Sequence, residues 1–275
     1  MLRILYEDEH MIVVWKPVGM ESQSSRGFGA DMVSEIRRHI HKLSTKTSPK
    51  TGEPYVGVIH RLDKPVSGVM VYAKEKKAAA VLSRQVAEGK MKKRYLAVVC
   101  GKPVDNVENY VDYLLKDDKM NVSRIVDMGI TGAKQAELIC RTLETKQVEP
   151  YGLLSLAEIE LLTGRHHQIR VQMAGHGLPL WGDNRYNPQF GGTCGPAGAP
   201  GRAPSVPLAG LIHNGSRGHL AEPAASVPPV PSVRSRADVA LAAYQLTFAH
   251  PVTGKTMTFR QAPDGKIFRE FHIPQ

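Results

Sequence analysis

The chain is poor in cysteine and in long apolar segments. It has three cysteines among 275 residues, and their spacing matches no metal-binding or redox pair. This scarcity argues against a disulfide-stabilised fold and against a structural zinc site. No apolar run approaches the roughly 20 residues that cross a bilayer, and residues 1–8 are too short and too acidic for a secretion signal. We therefore expect a cytoplasmic or nucleoid-associated protein without a membrane-spanning segment.

Sequence signatures of cofactor binding are also missing. The chain contains no glycine-rich phosphate-binding loop and no His-Glu-x-x-His metal spacing. It also lacks the Gly-x-Ser-x-Gly turn that carries the nucleophile of many hydrolases. We therefore expect a protein without a cofactor or a metal ion.

Acidic residues are outnumbered by basic ones. The chain has 36 Lys and Arg against 26 Asp and Glu, which gives a net charge of +10. Such an excess favours an anionic partner, with nucleic acid as the first candidate and an acidic membrane surface as the second. A solvated basic face without a partner stays open as an alternative, because charge alone does not decide among these three.

The hydrophobic pattern predicts more strands than helices. Alternating or continuous apolar runs predict strands at 2–6, 11–16, 67–73, 93–99, 133–143, 152–162, 239–248 and 255–259, with an irregular strand pair at 107–127. Helical periodicity is present at 30–43, about 75–88 and about 166–175. This mixture predicts an α+β fold with a central mixed, mainly antiparallel sheet and flanking helices.

Residues 188–238 differ in composition from the rest of the chain. Gly, Pro, Ala and Ser dominate this segment, and its apolar residues show no periodicity. A segment of this kind cannot bury enough apolar surface to offset the entropy of ordering. We therefore predict one domain over residues 1–275 that carries a mobile insertion at 188–238.

Residues 60–68, with the sequence His-Arg-Leu-Asp-Lys-Pro-Val-Ser-Gly, place an acid beside a base in a turn. An alternating apolar run at 69–73 follows, so Asp63 is predicted to lie on a loop that leads into a strand. Catalytic groups concentrate on loops held by rigid elements. The alternative is an exposed turn in which Asp63 pairs locally with Arg61 or Lys64.

Two further stretches give this loop a context. Residues 93–99 form a strand pattern, Lys-Arg-Tyr-Leu-Ala-Val-Val, and residues 162–171 have the sequence Leu-Thr-Gly-Arg-His-His-Gln-Ile-Arg-Val. Together with 60–68 they resemble the RluA-type family of RNA pseudouridine synthases. Members of that family carry His-Arg-Leu-Asp before a Ser-Gly pair, then a Lys-x-Tyr strand, then Gly-Arg-x-His-Gln-Ile-Arg. The resemblance runs from about residue 4 to residue 271.

This chain departs from the family pattern at two positions. Val66 stands where Thr is usual, and His166 stands where Thr or Ser is usual. Neither change removes a residue that the resemblance assigns to chemistry, although Val66 lacks a hydroxyl that could brace the loop. The first strand pattern begins at residue 2, so we expect no separate RNA-binding domain before the catalytic one.

The resemblance implies an enzyme that isomerises a specific uridine in structured RNA, either ribosomal or transfer RNA, to pseudouridine. It implies an active-site cleft across the middle of the sheet and a base that flips out of the RNA. The reaction needs no cofactor, and we expect a monomer whose partner is RNA. Two alternatives stay open: a non-catalytic RNA-binding protein that keeps the cleft, and a hydrolase that uses Asp63 and His167.

The resemblance also assigns the catalytic residues. Asp63 is the carboxylate that acts on the glycosidic centre, as nucleophile or as proton acceptor. Arg170 is its partner, and an Arg can hold a carboxylate through two parallel bonds. Tyr95 stacks on the flipped base, and its hydroxyl could relay a proton.

Five basic side chains are expected to contact the RNA or brace the site: Arg61, His60, Arg165, His167 and Lys93. A planar guanidinium stacks well, so Arg61 either fills the gap left in the RNA or orients Asp63. Lys93 belongs to a run of positive charge at 90–94, just before Tyr95. Any one of the histidines is more often structural than catalytic.

Overall fold

The computed structural model describes residues 2–24, 30–47, 52–192 and 237–274. These residues form an eleven-stranded sheet with three α-helices. The strands are β1 (Arg3–Glu7), β2 (Met11–Lys16), β3 (Gly57–Val58), β4 (Ser67–Ala73), β5 (Lys92–Cys100), β6 (Val107–Asp117), β7 (Val122–Val126), β8 (Lys134–Val148), β9 (Gly152–Leu161), β10 (Leu241–Ala249) and β11 (Thr256–Arg260). The helices are α1 (Met32–Thr47), α2 (Lys76–Ala87) and α3 (Gln168–Gly175), and short 3₁₀ turns cover Pro188–Phe190 and Lys266–Glu270.

The sheet has the strand order β1-β2-β4-β10-β5-β9-β8-β6-β7, with β3 beside β4 and β11 beside β10. Strands β4 and β10 are parallel, and every other neighbouring pair is antiparallel. The prediction of an α+β fold with a mixed, mainly antiparallel sheet is therefore confirmed.

The helices cover both faces of the sheet. Every residue of β2 and β4 is buried, which is expected for strands covered on both sides. Helices α1 and α3 pack on one face through Met32, Ile36 and Met173, in the same apolar cluster as Tyr95. Helix α2 packs on the opposite face through Leu82. The predicted catalytic tyrosine therefore lies on the α1 and α3 side.

The parallel contact of β4 with β10 depends on Gly68. This contact pairs Ala243 with Gly68, directly after the loop that carries Asp63. A Cβ built on Gly68 would lie 2.5 Å from the Ala243 Cβ and 2.7 Å from its backbone nitrogen, and Gly68 has a φ of +153°. Only glycine fits this close approach of two backbones, so Gly68 sets the position at which the loop enters the sheet.

Most predicted element bounds differ from the structure by one or more residues, and three of the differences have an identifiable cause. Helix α1 begins at Met32 rather than residue 30 because Asp31 caps it, accepting a hydrogen bond from the Ser34 backbone N–H at 2.7 Å. Helix α3 begins at Gln168 rather than residue 166, since His167 is left-handed with a φ of 54°. Strand β8 continues to Val148 because it pairs with β9 beyond a register irregularity at 142–144, which interrupts the alternating pattern.

Most of the predicted insertion lies outside the described residues. For 193–236 the prediction of mobility stays a prediction. Both ends of the predicted segment belong to the described structure. The Asn187 side chain caps the 3₁₀ turn at 188–190 by accepting from the Gln189 N–H at 3.0 Å. At the other end, a Cβ on Gly182 would collide with the Asp238 carbonyl.

Asp8, in the turn between β1 and β2, should stabilise the fold in a pH-dependent way. Burial alone would raise its pKa, but hydrogen bonds from His250 and from the Met11 and His10 N–H groups lower it to about 2, from 3.8. A depressed carboxyl pKa contributes stability that is complete above pH 4 and is lost as the pH falls to 2. We expect Asp8→Asn to lower the free energy of unfolding by about 2 kcal/mol at pH 7 and to have little effect at pH 2.

Denaturant unfolding at several pH values measures this difference. Asp127→Asn serves as the matched control because Asp127 is exposed in the turn between β7 and β8. An Asp8→Asn deficit of the same size at pH 2 and pH 7 would show that packing, and not the charge, carries the effect.

Candidate active site

The loop that carries Asp63 is fixed by backbone hydrogen bonds. The Val66 N–H donates to the Asp63 carbonyl at 3.0 Å, and the Gly19 N–H donates to the Lys64 carbonyl at 2.9 Å. Val66 is buried in the core, so the hydroxyl that is usual at this position is replaced by apolar packing. The Asp63 side chain is 31% exposed. The carboxylate is therefore held in place while one side stays open to a substrate.

Ser22 holds the same loop from the other side. Its hydroxyl donates to the Leu62 carbonyl at 2.9 Å and accepts from the Leu62 N–H at 3.0 Å. The buried Tyr72 hydroxyl donates to the Ser22 carbonyl at 3.0 Å. Ser22 therefore pairs with the residue before Asp63 much as a neighbouring strand would. Sequence reasoning missed it, because a serine in a polar loop carries no distinguishing signal.

Lys16 is a second residue without a predicted role in the site. Its ammonium group is fully buried and donates to the carbonyls of Pro17, Met20 and Lys64 at 3.0, 2.6 and 3.2 Å. Burial lowers the pKa of Lys16 to about 8, and the negative charge of Asp63 opposes this shift. Lys16 thus ties the turn after β2 to the loop of Asp63.

Arg170 lies beside Asp63 but is anchored elsewhere. Its Nε and Nη2 donate to the two carboxylate oxygens of Asp183 at 2.8 and 2.7 Å, and both side chains are buried. Its Nη1 is 3.5 Å from Asp63 Oδ2. The expected two-bond hold on Asp63 is therefore not made, since the guanidinium already binds Asp183 in that way. Burial alone would lower the pKa of Arg170, but the hydrogen bonds and charge of Asp183 outweigh it and raise that pKa.

His167 directly precedes the first residue of α3, and its ring faces Asp63. Its Nε2 is 3.6 Å from Asp63 Oδ2, and its Nδ1 is 2.8 Å from the Tyr186 hydroxyl. Burial, followed by the charges of Arg170 and His166, lowers the pKa of His167 to about 2, so the ring is neutral. A neutral ring next to a carboxylate favours the proton on Nε2, which makes the Tyr186 hydroxyl the donor to Nδ1.

The backbone conformation of His167 aims its ring at the carboxylate. A non-glycine residue at a φ of 54° is uncommon and costs about 1–3 kcal/mol. The ring of His166 stacks on that of His167 with centroids 3.8 Å apart, and its Nδ1 lies 2.9 Å from the Ser123 hydroxyl. His166 therefore supplies stacking and one hydrogen bond where Thr or Ser is usual.

Tyr95 lies on β5 and is 6% exposed. Burial, with a further contribution from the charge of Asp63, raises its pKa, so the hydroxyl keeps its proton at neutral pH. Its ring belongs to the apolar cluster that includes Ile159 and Ile169. Because little of the ring is open, a base that stacks on it needs neighbouring side chains to move aside. The stacking and proton-relay roles stay predictions.

The comparisons with known proteins decide the family. A family model described as RNA pseudouridylate synthase matches residues 10–175. The chain belongs to this family. The prediction of an RluA-type pseudouridine synthase is therefore confirmed at the level of the family.

Relatives and solved structures agree with this assignment. The chain is 34% identical to ribosomal large subunit pseudouridine synthase D of Zymomonas mobilis over 186 residues, which cover 67% of this chain and 56% of that protein. It is also 34% identical over 185 residues to ribosomal large subunit pseudouridine synthase C of Escherichia coli, covering 66% and 52% of the two chains. The chain thus spans little more than half the length of these relatives.

The fold is shared with two human proteins of known structure. Human RNA Pseudouridylate Synthase Domain Containing 4 superposes with a TM-score of 0.65 at 18% identity, covering 95% of this chain and 89% of that one. Human RNA Pseudouridylate Synthase Domain Containing 1 gives a TM-score of 0.62 at 18% identity, covering 96% and 84%. At this identity the likeness shows the fold alone.

The pseudouridine synthase motifs divide into an inner group and a rim. The inner group consists of Asp63, Arg170 and His167, because Arg170 and His167 lie 3.5 and 3.6 Å from the Asp63 carboxylate. His60 is buried and accepts from the Val71 N–H at 3.3 Å, and burial with the charge of Lys93 lowers its pKa to about 3, so it braces the loop as a neutral ring. The rim consists of basic side chains that are exposed or half-buried: Arg61, Lys93 and Arg165.

The described residues contain no group of three or more His, Cys, Asp or Glu side chains arranged to hold a metal ion. None of their helices combines the length and apolar character that crossing a bilayer requires. The inner group combines a partly exposed carboxylate, a permanent cation and a neutral imidazole.

Proposed function

We propose that this protein is an RNA pseudouridine synthase that isomerises a specific uridine through Asp63. The observation that carries the proposal is the position of Asp63, partly exposed beside Arg170 and the neutral His167 on the loop that leads into β4. The reaction breaks the bond from ribose C1′ to uracil N1 and joins C1′ to uracil C5. C5 loses a proton and N1 gains one, so the product is an isomer and no water, metal ion or redox partner is consumed.

Each inner residue has a role in this scheme. Asp63 attacks the glycosidic centre or takes up a proton there. The Arg170 charge lies 3.5 Å from the Asp63 carboxylate and attracts it, while Asp183 fixes the orientation of the guanidinium. The Nε2–H of His167 faces the same oxygen at 3.6 Å, which is just beyond hydrogen-bond distance, and adds no charge.

The rim residues would receive the RNA. A uridine stacked in RNA is out of reach, so it must flip into the cleft at a cost of a few kcal/mol. Stacking on Tyr95 offsets about 1–3 kcal/mol of this cost. Arg61 is exposed two residues before Asp63, where its guanidinium can take the place of the flipped base.

We propose ribosomal RNA as the substrate class, with transfer RNA as the alternative. Two relatives are named for the large ribosomal subunit. The enzyme would act as a monomer in the cytoplasm, and the net charge of +10 would attract the RNA backbone.

Mapping pseudouridines in ribosomal and transfer RNA, from cells with and without the gene, tests the proposal. We expect the deletion to remove the modification from one or a few uridines, and the wild-type gene to restore it. Identical maps in the two strains would contradict the proposal. They would favour the second candidate, a non-catalytic RNA-binding protein, if RNA still co-purifies with the protein.

A further inference from the structure

A cavity of about 440 Å³ lies next to the inner group. The β6–β7 hairpin forms one wall and residues 164–166 form the other. The lining includes Leu115, Lys116, Ser123, Lys134, Arg165 and His166. A larger cavity of about 490 Å³ lies between α2 and the turn from β10 to β11, and none of the predicted catalytic residues lines it. Pockets of about 300–1,000 Å³ accept small ligands, so the cavity beside the inner group is large enough for a nucleotide.

Only the His167 ring separates one wall of this cavity, the His166 ring, from Asp63. The His166 ring lines the cavity and stacks at 3.8 Å on His167, whose Nε2 is 3.6 Å from Asp63 Oδ2. The Ser123 hydroxyl fixes this wall, because it lies 2.9 Å from both the Nδ1 and the carbonyl oxygen of His166. A group bound in the cavity is therefore a neighbour of a base bound at Asp63.

The charges that line the cavity favour an anion. Among the described residues, Lys134 and Arg165 have no carboxylate within salt-bridge distance, whereas Lys116 pairs with Asp118 at 2.6 Å. Arg165 donates through its Nε to the Gln135 carbonyl at 2.8 Å, which leaves its terminal nitrogens for another acceptor. Three cations against one carboxylate leave a net charge of +2.

Apolar and polar groups occur together in this lining. Leu115 also lines the cavity and is partly exposed, and its side chain lies next to Gly132, another lining residue. A base needs an apolar surface and a phosphate needs cations, and the cavity offers both. Proteins recognise RNA sequence mostly through unstacked bases of single-stranded loops.

We propose that this cavity binds the nucleotide next to the target uridine. Its phosphate would contact Lys134 and Arg165, and its base would pack against Leu115. The proposal rests on the proposed function and deepens it, because the cavity would then select the sequence that flanks the target. The β6–β7 hairpin would then recognise that flanking sequence.

A pool of stem–loop RNAs tests this proposal. Each RNA carries one loop uridine flanked on both sides by randomised nucleotides, and converted molecules are identified by sequencing. Lys134→Glu reverses a charge in the cavity. Gly164→Met fills the cavity, since a Cβ on Gly164 meets no atom within 4 Å and its φ is not in the left-handed region. Lys102→Glu is the matched control, because Lys102 is exposed just beyond the end of β5 that is remote from Tyr95.

We expect wild type and Lys102→Glu to prefer the same flanking nucleotide. Lys134→Glu should lose about tenfold in conversion at limiting enzyme, and Gly164→Met should convert all flanking sequences alike, with melting temperatures unchanged. The cavity proposal would be overturned if both cavity variants kept the flanking-nucleotide preference and the yield of wild type. The proposed function would still stand in that case. If wild type converts no RNA in the pool, the proposed function fails, and equal binding of the pool by wild type and Lys134→Glu then overturns the cavity proposal as well.

Discussion

Asp63→Asn should reduce uridine conversion by at least about a thousandfold while RNA affinity stays within about twofold. The asparagine keeps the shape of the side chain and an oxygen that accepts hydrogen bonds. It removes the charge and the reactivity of the carboxylate. Binding should survive, because we propose that the basic rim and not Asp63 binds the RNA. Single-turnover conversion and RNA affinity, measured on the same preparation, check both parts.

The fold should also survive this substitution. Backbone hydrogen bonds hold the loop, and the Asp63 side chain is about a third exposed. Asp105→Asn, at an exposed position in the turn between β5 and β6, is the matched control and should convert uridine normally. If the melting temperature of Asp63→Asn is lower than that of wild type, Asp63 serves mainly to stabilise its loop. Uridine conversion by Asp63→Asn at the wild-type rate would contradict the proposed role of Asp63 in the reaction.

Asp183→Ala should lower the free energy of unfolding by about 3–5 kcal/mol. Arg170 and Asp183 are both buried, and the pair makes two hydrogen bonds of 2.8 and 2.7 Å. Without Asp183 the buried guanidinium keeps one carboxylate, Asp63 at 3.5 Å, and its position over the Tyr186 ring, 5.3 Å from the centroid. The Arg185 N–H also loses its acceptor in this variant. Denaturant unfolding measures the loss, and wild-type stability in Asp183→Ala would contradict it.

The double variant Arg170→Gln/Asp183→Asn separates stability from chemistry. It replaces the ion pair with two neutral amides that can bond to each other, so most of the lost stability should return. Conversion should stay low, because the Arg170 charge that lies 3.5 Å from Asp63 is then missing. Full conversion by this folded double variant would show that the Arg170 charge is dispensable for the reaction.

The sequence predicted the inner carboxylate but not the way its partner is held. Strand β4 was predicted at 67–73 and spans Ser67–Ala73, because an apolar run follows the turn at 64–65. Asp183 had no such signal. It follows Arg170 by 13 residues in a turn without periodicity, and its pairing arises only when that turn packs under α3.

The same limit applies to other supporting residues of the site. The Ser22 hydroxyl bonds to Leu62 across 40 residues of sequence, and the left-handed His167 lies inside a run that otherwise has helical spacing. Local patterns carry information about elements and motif residues, whereas these contacts depend on how distant loops meet. Functional sites often hold the residues that break local rules.

The most direct test of the account uses RNA from the deletion strain, purified wild-type protein and purified Asp63→Asn protein. Pseudouridine has the mass of uridine, so the products are distinguished by chemical mapping at the target site and by assaying released base. The account predicts that wild type forms pseudouridine at the mapped uridine without releasing free uracil, and that Asp63→Asn forms none. Release of free uracil, or pseudouridine formed equally by both proteins, would contradict it.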